Sequence, residues 1–353
     1  MTSHTPLPVT ILTGFLGSGK TTLINHLLKH YPDEKLAIVE NEFGAVGIDG
    51  GLLERGGDIE VIELTNGCVC CSVRGELTEA LKSLLTQRDA GTLSFERLLL
   101  ETTGLADPAP IVQTFFVDDQ LRERLMLDAV ITLVDAEHAQ KQLSEHRVAV
   151  SQVGFADRLI LTKLDRIDEE AKQLLLERLR TINGKAIVCE AQGGKLEKEA
   201  WIGIEAFNLD ENFPLNATFS PTLKNSTTPL RFHPIPSSNT STARSWNDDI
   251  SSHVFEAGEV NVKLIGAFME NAIEQHGNDM LRYKGILAIA GEPRRLIVQG
   301  VHRVVGFDYG SEWRPDEARS TKLVIIGRRL PLEALEQAFK ACSTENQASV
   351  QAP

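Results

Sequence analysis

Residues 14–21 read Gly-Phe-Leu-Gly-Ser-Gly-Lys-Thr, the pattern G-x-x-x-x-G-K-[ST], and they stand between segments of opposite periodicity. Before them, residues 9–13 (VTILT) form a short β-branched apolar run. After them, Thr21 to His30 carries Leu23, Leu27 and Leu28 at helical spacing. The motif therefore commits this part of the chain to a strand, a tight loop and a helix. Glycines at 14, 17 and 19 let the backbone bend so that successive N–H groups point at phosphate oxygens, and the helix N-terminus adds partial positive charge. Phe15, Leu16 and Ser18 complete the loop, Lys20 is placed to reach β- and γ-phosphates, and the Thr21 hydroxyl is placed to ligate Mg²⁺.

Further short apolar runs lie at 35–39, 98–100, 129–134, 158–162 and 186–188, with amphipathic segments such as 74–85 and 168–180 between them. Buried strands alternating with helices predict an α/β fold, a mostly parallel sheet covered on both faces. From about 216 to 252 the composition turns to Ser, Thr, Asn and Pro, which predicts a linker. Beyond it, Val260, Leu264, Ile265, Phe268, Met269, Ala272 and Ile273 share one helical face. Strand-like runs follow at 285–290, 295–301 and 322–326, and Pro331 opens a last helix. The expected organisation is a P-loop domain over 1–215, a linker over 216–252, a smaller α+β domain over 253–345 and a tail over 346–353.

The chain carries 36 Lys plus Arg against 49 Asp plus Glu, a net charge of -13. Its long-range field repels nucleic acid and anionic membrane, so neither is an expected partner, and any anionic ligand must be held by local donors. No apolar run approaches the roughly 18 residues that span a bilayer, and the N-terminal segment lacks a secretory pattern, so a cytoplasmic location is expected.

The run LLLETTG ends a strand in Glu101, two residues before Thr103 and three before Gly104. That would place a carboxylate at the C-terminal sheet edge, where it can hold Mg²⁺ through water while Gly104 senses the γ-phosphate. Asp49, in a glycine-rich loop, is a second candidate on the Mg²⁺ side, with a turn aspartate as the alternative. Thr162-Lys163-Leu164-Asp165 follows another strand. A carboxylate at 165 can accept from the guanine N1–H and 2-amino group, which adenine does not offer, so GTP is the expected nucleotide; a helix N-cap is the other role open to Asp165. Threonine at 162 stands where such a motif usually has asparagine.

Three of the five cysteines, Cys68, Cys70 and Cys71, fall within four residues. Clustered thiolates suit a soft or borderline metal, Zn²⁺ above all, and with no fourth Cys or His nearby the site should be incomplete and exchangeable. Glu40, Glu42, Glu76 or water are the candidates to complete it. Cys189 and Cys342 stand alone and read as packing residues, and His253, His276 and His302 show no ligand spacing.

Taken in order, TGFLGSGKTT, VENEFG, NGCVCC, ETTGLADP and TKLD resemble the CobW-type metallochaperone GTPases of the SIMIBI class, and GVHRVVGFDYGSEW and RSTKLVIIGRRL are similar to that family's second domain. The resemblance covers nearly the whole chain. It implies GTP hydrolysis with Lys20, Thr21 and Glu101 in catalysis, nucleotide contacts from Gly14 to Thr22 and from Thr162 to Asp165, and zinc on Cys68, Cys70 and Cys71 with Glu40 as an additional ligand. Because the cysteine cluster lies between two nucleotide-sensing segments, the expected function is Zn²⁺ transfer to a client metalloprotein switched by GTP turnover, with a metal-sensing adaptor or a chaperone for another metal such as cobalt as the rival functions. Two departures stand out: Ala45 replaces an acidic residue that some relatives carry after Phe-Gly, and the family's His-rich tract is missing.

Overall fold

The computed structural model describes residues 6–41, 60–63, 73–191, 195–206 and 250–344. In the first domain, seven parallel strands are ordered β3-β2-β4-β1-β5-β6-β7. They are β1 (Leu7–Gly14), β2 (Leu36–Asn41), β3 (Glu60–Glu63), β4 (Arg97–Thr102), β5 (Leu125–Asp135), β6 (Arg158–Thr162) and β7 (Ile187–Glu190). The helices are α1 (Lys20–His30), α2 (Val73–Asp89), α3 (Pro108–Val117), α4 (Asp119–Arg124), α5 (Ala139–Glu145), α6 (Arg147–Phe155) and α7 (Glu169–Ile182).

Side-chain alternation sorts the strands into two cores. Leu12, Ile38, Leu99, Ile131 and Ile160 pack with Leu23, Ile24, Leu27 and Leu28 of α1 and with Trp201. Val9, Ile11, Val39, Leu98 and Leu100 turn the other way, towards Leu77 and Leu81 of α2 and Ile111 and Val112 of α3. Because both faces are covered, the strands read as continuous apolar runs rather than as alternating ones.

The second domain is an antiparallel sheet ordered β11-β10-β9-β12-β8. Its elements are β8 (Ile250–Ala257), α8 (Val262–His276), β9 (Met280–Leu287), β10 (Arg294–Val301), β11 (Val304–Glu312), β12 (Thr321–Arg328) and α9 (Leu332–Lys340). Strand β8 begins at Ile250, three residues before the start expected from composition. Val260 precedes α8, and Asn261 caps it, accepting from the N–H groups of Lys263 and Leu264 at 3.0 and 3.3 Å. One sheet face buries Phe255, Tyr283, Leu287, Val298, Leu323 and Ile325 under Ile265, Phe268 and Met269 of α8 and Leu335 and Phe339 of α9.

The opposite face meets the first domain along α3, α6 and α7. Gln113 donates to the Val301 carbonyl at 3.3 Å. Arg282 donates to the Phe155 carbonyl and pairs with the buried carboxylate of Asp157 at 2.8 Å. No helix among the described residues is long and apolar enough to cross a membrane.

A candidate nucleotide and metal site

β1 delivers the phosphate loop. Its last residue, Gly14, has φ +144°, and a Cβ there would lie 2.5 Å from the Leu133 carbonyl oxygen, so only glycine lets the loop leave between β1 and β5. α1 starts after Gly19 with no side chain capping it, which leaves its first N–H groups for a ligand. Lys20 Nζ folds back over the loop and donates to the carbonyls of Gly14 at 2.9 Å and Phe15 at 3.4 Å. The Ser18 hydroxyl is buried with no hydrogen-bond partner among the described residues. An orphaned hydroxyl inside a glycine-built cradle fits a phosphate or its metal as the missing partner.

Register brings the acidic candidates together. Glu101 is paired with Leu12 of β1 on one side and with Glu40 of β2 on the other. Leu12, Ile38 and Leu99 all face α1, so period-two alternation puts Glu40 and Glu101 on that face too, the face from which α1 presents Thr21. Glu40 is buried and Glu101 half-buried. Thr21 and Glu101 supply hard oxygen donors of the kind that Mg²⁺ takes. β3 adds a third acidic backbone position, Glu63, in register with Glu40, which the sequence reading missed because only pairing reveals it.

The Gly104 segment lies against the phosphate loop: a Cβ on Gly104 would sit 2.6 Å from the Leu16 nitrogen. Gln152 of α6 fixes this segment by donating to the carbonyls of Gly104 (3.2 Å) and Ala106 (3.1 Å). Its own carbonyl accepts from Thr132 of β5 at 2.7 Å. Leu16 and Leu105 are exposed at this mouth.

The base-selecting segment leaves β6. The Thr162 hydroxyl donates to the Ser18 carbonyl at 2.9 Å, so threonine ties this segment to the phosphate loop in asparagine's place. Lys163 adopts φ +56° and its ammonium meets Asp135 at 2.7 Å. Burial alone would raise the Asp135 carboxyl, but hydrogen bonds from Lys163 and His138 hold it below the ordinary carboxylate range. Asp165 is exposed, and the cap of α7 is Asp168, which accepts from Ala171 N at 2.8 Å. Asp165 is thus not occupied as the N-cap of that helix.

Cys68, Cys70, Cys71, Asp49, Glu42 and Ala45 lie outside the described residues, as does the Glu76 side chain. The cysteines belong to the connection between Glu63, the end of β3, and Val73, the start of α2. Among the described residues, one His/Cys/Asp/Glu group has ligand atoms within 4.8 Å of one another: Asp135, Glu137 and His138. Lys163 on Asp135 and Arg166 on Glu137 make it an ion-pair network rather than a cation site. Cys342 is buried and Cys189 half-buried; burial pushes both thiols up, away from the thiolate form that ligates metal.

Fold and loop together define a P-loop nucleotide-binding protein with a C-terminal α+β domain. The model of the CobW/HypB/UreG nucleotide-binding domain matches residues 8–190, and that of the cobalamin synthesis protein cobW C-terminal domain matches 250–343. The chain belongs to the CobW/HypB/UreG family. It is 43% identical over 336 residues to the zinc chaperone YjiA of Escherichia coli, covering 95% of this chain and 98% of that one. The zinc chaperone CobW of Pseudomonas aeruginosa is 32% identical over 360 residues, covering 93% and 89%. The crystal structure of the Zn(II)-bound YjiA GTPase from E. coli superposes with a TM-score of 0.72 at 37% identity, covering 96% of this chain and 99% of that one.

Proposed function

We propose that this protein binds and hydrolyses GTP with Mg²⁺ and that its nucleotide state sets the affinity of a zinc site on Cys68, Cys70, Cys71 and Glu40, from which Zn²⁺ passes to a client metalloprotein in the cytoplasm. The observation that carries this reading is the register of Glu40 beside Glu101. A zinc-side carboxylate and a magnesium-side carboxylate occupy neighbouring strands on the α1 face, so a shift that one metal imposes on its strand end reaches the other. The relatives named zinc chaperones support zinc as the cargo.

The nucleotide chemistry is positional and electrostatic. Loop N–H groups and the open start of α1 hold the phosphates. Lys20, now bonded to the Gly14 and Phe15 carbonyls, exchanges those for the β,γ oxygens and neutralises charge as it develops. Thr21 and Glu101, with Asp49 as a further donor, would hold Mg²⁺, which would supply additional charge neutralisation on the phosphates. Asp165 reads guanine, Thr162 keeps that reader in register with Ser18, and Gln152 holds Gly104 against the loop. By linkage, if GTP changes zinc affinity, zinc changes GTP affinity by the same factor.

Phosphate release from GTP and from ATP tests the catalytic half. The protein should release phosphate from GTP in preference to ATP, and Lys20→Ala should abolish release. Equal turnover of both nucleotides would refute the guanine assignment.

A further inference from the structure

The seam between the two domains holds a cavity that the nucleotide chemistry does not use. It is a shallow cavity open to solvent on one side, with about 290 Å³ of empty space in and in front of its mouth. Asp157, Asn183 and Lys185 line it from the first domain, and Arg282, Tyr283 and Lys284 from the antiparallel sheet.

Its charges do not balance. Asp157 is the only acid among the described residues of the lining. Oδ2 accepts from Val130 N at 2.9 Å, and Oδ1 is shared by Arg282 at 2.8 Å and Lys284 at 3.1 Å. Asp157 and Arg282 are 3% and 4% exposed, so this is a buried cluster of two cations on one carboxylate. Lys185 adds a third cation, and among the described residues its ammonium makes no ion pair. The nearby acid Glu256 is engaged by Lys322 at 2.7 Å. The lining therefore carries an excess of about two positive charges in a chain whose net charge is -13. Burial pulls the Lys284 ammonium down, and burial with repulsion from Lys322 pulls Lys185 down, as expected of cations with too little counter-charge.

The geometry points to a binding site for a small oxyanion of the phosphate type in this cavity, held by Lys185 and Lys284 over the Arg282 guanidinium. Two ammonium groups with rotatable N–H donors suit an anion with several oxygens and about two charges. The enclosed part is small, so an anion would sit at the open mouth, where the lysine ammonium groups reach it from the rim. A bound anion would touch both domains at once. It would also sit beside Asp157, next to the start of β6, whose far end carries Thr162 and the guanine reader. The site is independent of the zinc reading.

The test is calorimetric titration of inorganic phosphate into the full chain with its nucleotide site saturated by Mg²⁺ and GDP and with no zinc present. Glycerol phosphate, sulfate and chloride are titrated in parallel. One saturable site is expected, weakened about tenfold by Lys185→Met and largely kept by Lys185→Arg. Lys284→Met should weaken it as well. Without phosphate, GTP turnover and the thermal midpoint of Lys185→Met should match the parent, which separates a lost site from a lost fold. Tighter binding of glycerol phosphate than of phosphate would identify a phosphomonoester as the natural ligand, and the reverse would identify free phosphate. Absence of saturable binding, binding indifferent to Lys185→Met, or equal competition by chloride would overturn the proposal. Because no zinc is present, failure here leaves the zinc reading standing.

Discussion

Replacing Gly104 with alanine tests whether the segment after β4 sets the position of the phosphate loop. Gly104 is not in the left-handed region, so its backbone accepts a side chain and only space opposes one. A Cβ there would lie 2.6 Å from the Leu16 nitrogen and 2.8 Å from its Cα, whereas ordinary contact begins at 3.4 Å. From 2.6 to 3.4 Å the two segments must part by about 0.8 Å. The Leu16 side chain can rotate away; its backbone cannot. Gln152 pins the Gly104 side through two carbonyls, so the phosphate loop is the part that yields. A loop N–H displaced that far loses a hydrogen bond of about 2.9 Å to a phosphate oxygen. A bond to a charged group contributes about 1.5–3 kcal/mol, so GDP affinity should fall about ten- to a hundredfold. Overpacking should cost about 1–3 kcal/mol of stability besides. Titration of a fluorescent GDP analogue in Mg²⁺, with thermal midpoints measured alongside, reads both effects. Gly17→Ala is the comparator: nothing lies within 4 Å of its Cβ, but φ is +73°, so its cost is backbone strain of about 1–3 kcal/mol without a push on the loop from its neighbours. Folded Gly104→Ala that binds GDP within about twofold of the parent would refute the reasoning.

Four further outcomes follow from the described geometry. Asp157→Asn keeps an acceptor for Val130 N but strips the charge facing Arg282 and Lys284, and should cost about 3–5 kcal/mol in urea unfolding; a loss under about 1 kcal/mol would contradict the buried pair. Burial raises the Asp157 carboxyl, but the charges of Arg282 and Lys284 outweigh it and hold the group below the usual range, so its contribution is complete above about pH 4 and is lost as pH falls; the Asn variant should show a flatter acid limb. Thr162→Val removes the donor to the Ser18 carbonyl and should weaken nucleotide binding about fivefold, with Thr162→Asn restoring it; unchanged binding in the valine variant would remove the tie. Asp165→Ala, at an exposed position, should reduce discrimination of GTP from ATP at least about tenfold without moving the thermal midpoint, and unaltered discrimination would reassign the base reader.

How much of this was legible depended on whether a feature is local. The residue run 158–162 matches β6 and the Leu23, Leu27, Leu28 pattern matches α1, because burial on one or both faces writes itself into periodicity. The phosphate loop was readable because its glycines answer a local backbone demand, seen at Gly14. Strand β11 (VVGFDYGSE) is mostly half-buried or exposed and lies at a sheet edge, so it leaves no clear alternation. β8 opens with Ile250, Ser251 and Ser252, whose polar character continues that of the preceding segment. Contacts between distant segments were invisible: Gln152 on Gly104, Thr162 on Ser18, and Arg282 with Lys284 on Asp157 depend on which elements meet in space. The sequence offered Asp165 as a cap, and the hydrogen bond from Ala171 N assigns the cap of α7 to Asp168 instead.

The coupling of zinc to nucleotide is tested most directly by a competition titration of Zn²⁺ into the reduced protein, with Mg²⁺ and GDP in one series, a non-hydrolysable GTP analogue in the other, and Cys70→Ser as control. The account predicts one tight site that the control weakens and whose affinity differs between the two nucleotides by about fivefold or more, the lower end of ordinary coupling energies. The same zinc affinity in both series, or binding indifferent to Cys70→Ser, would contradict it.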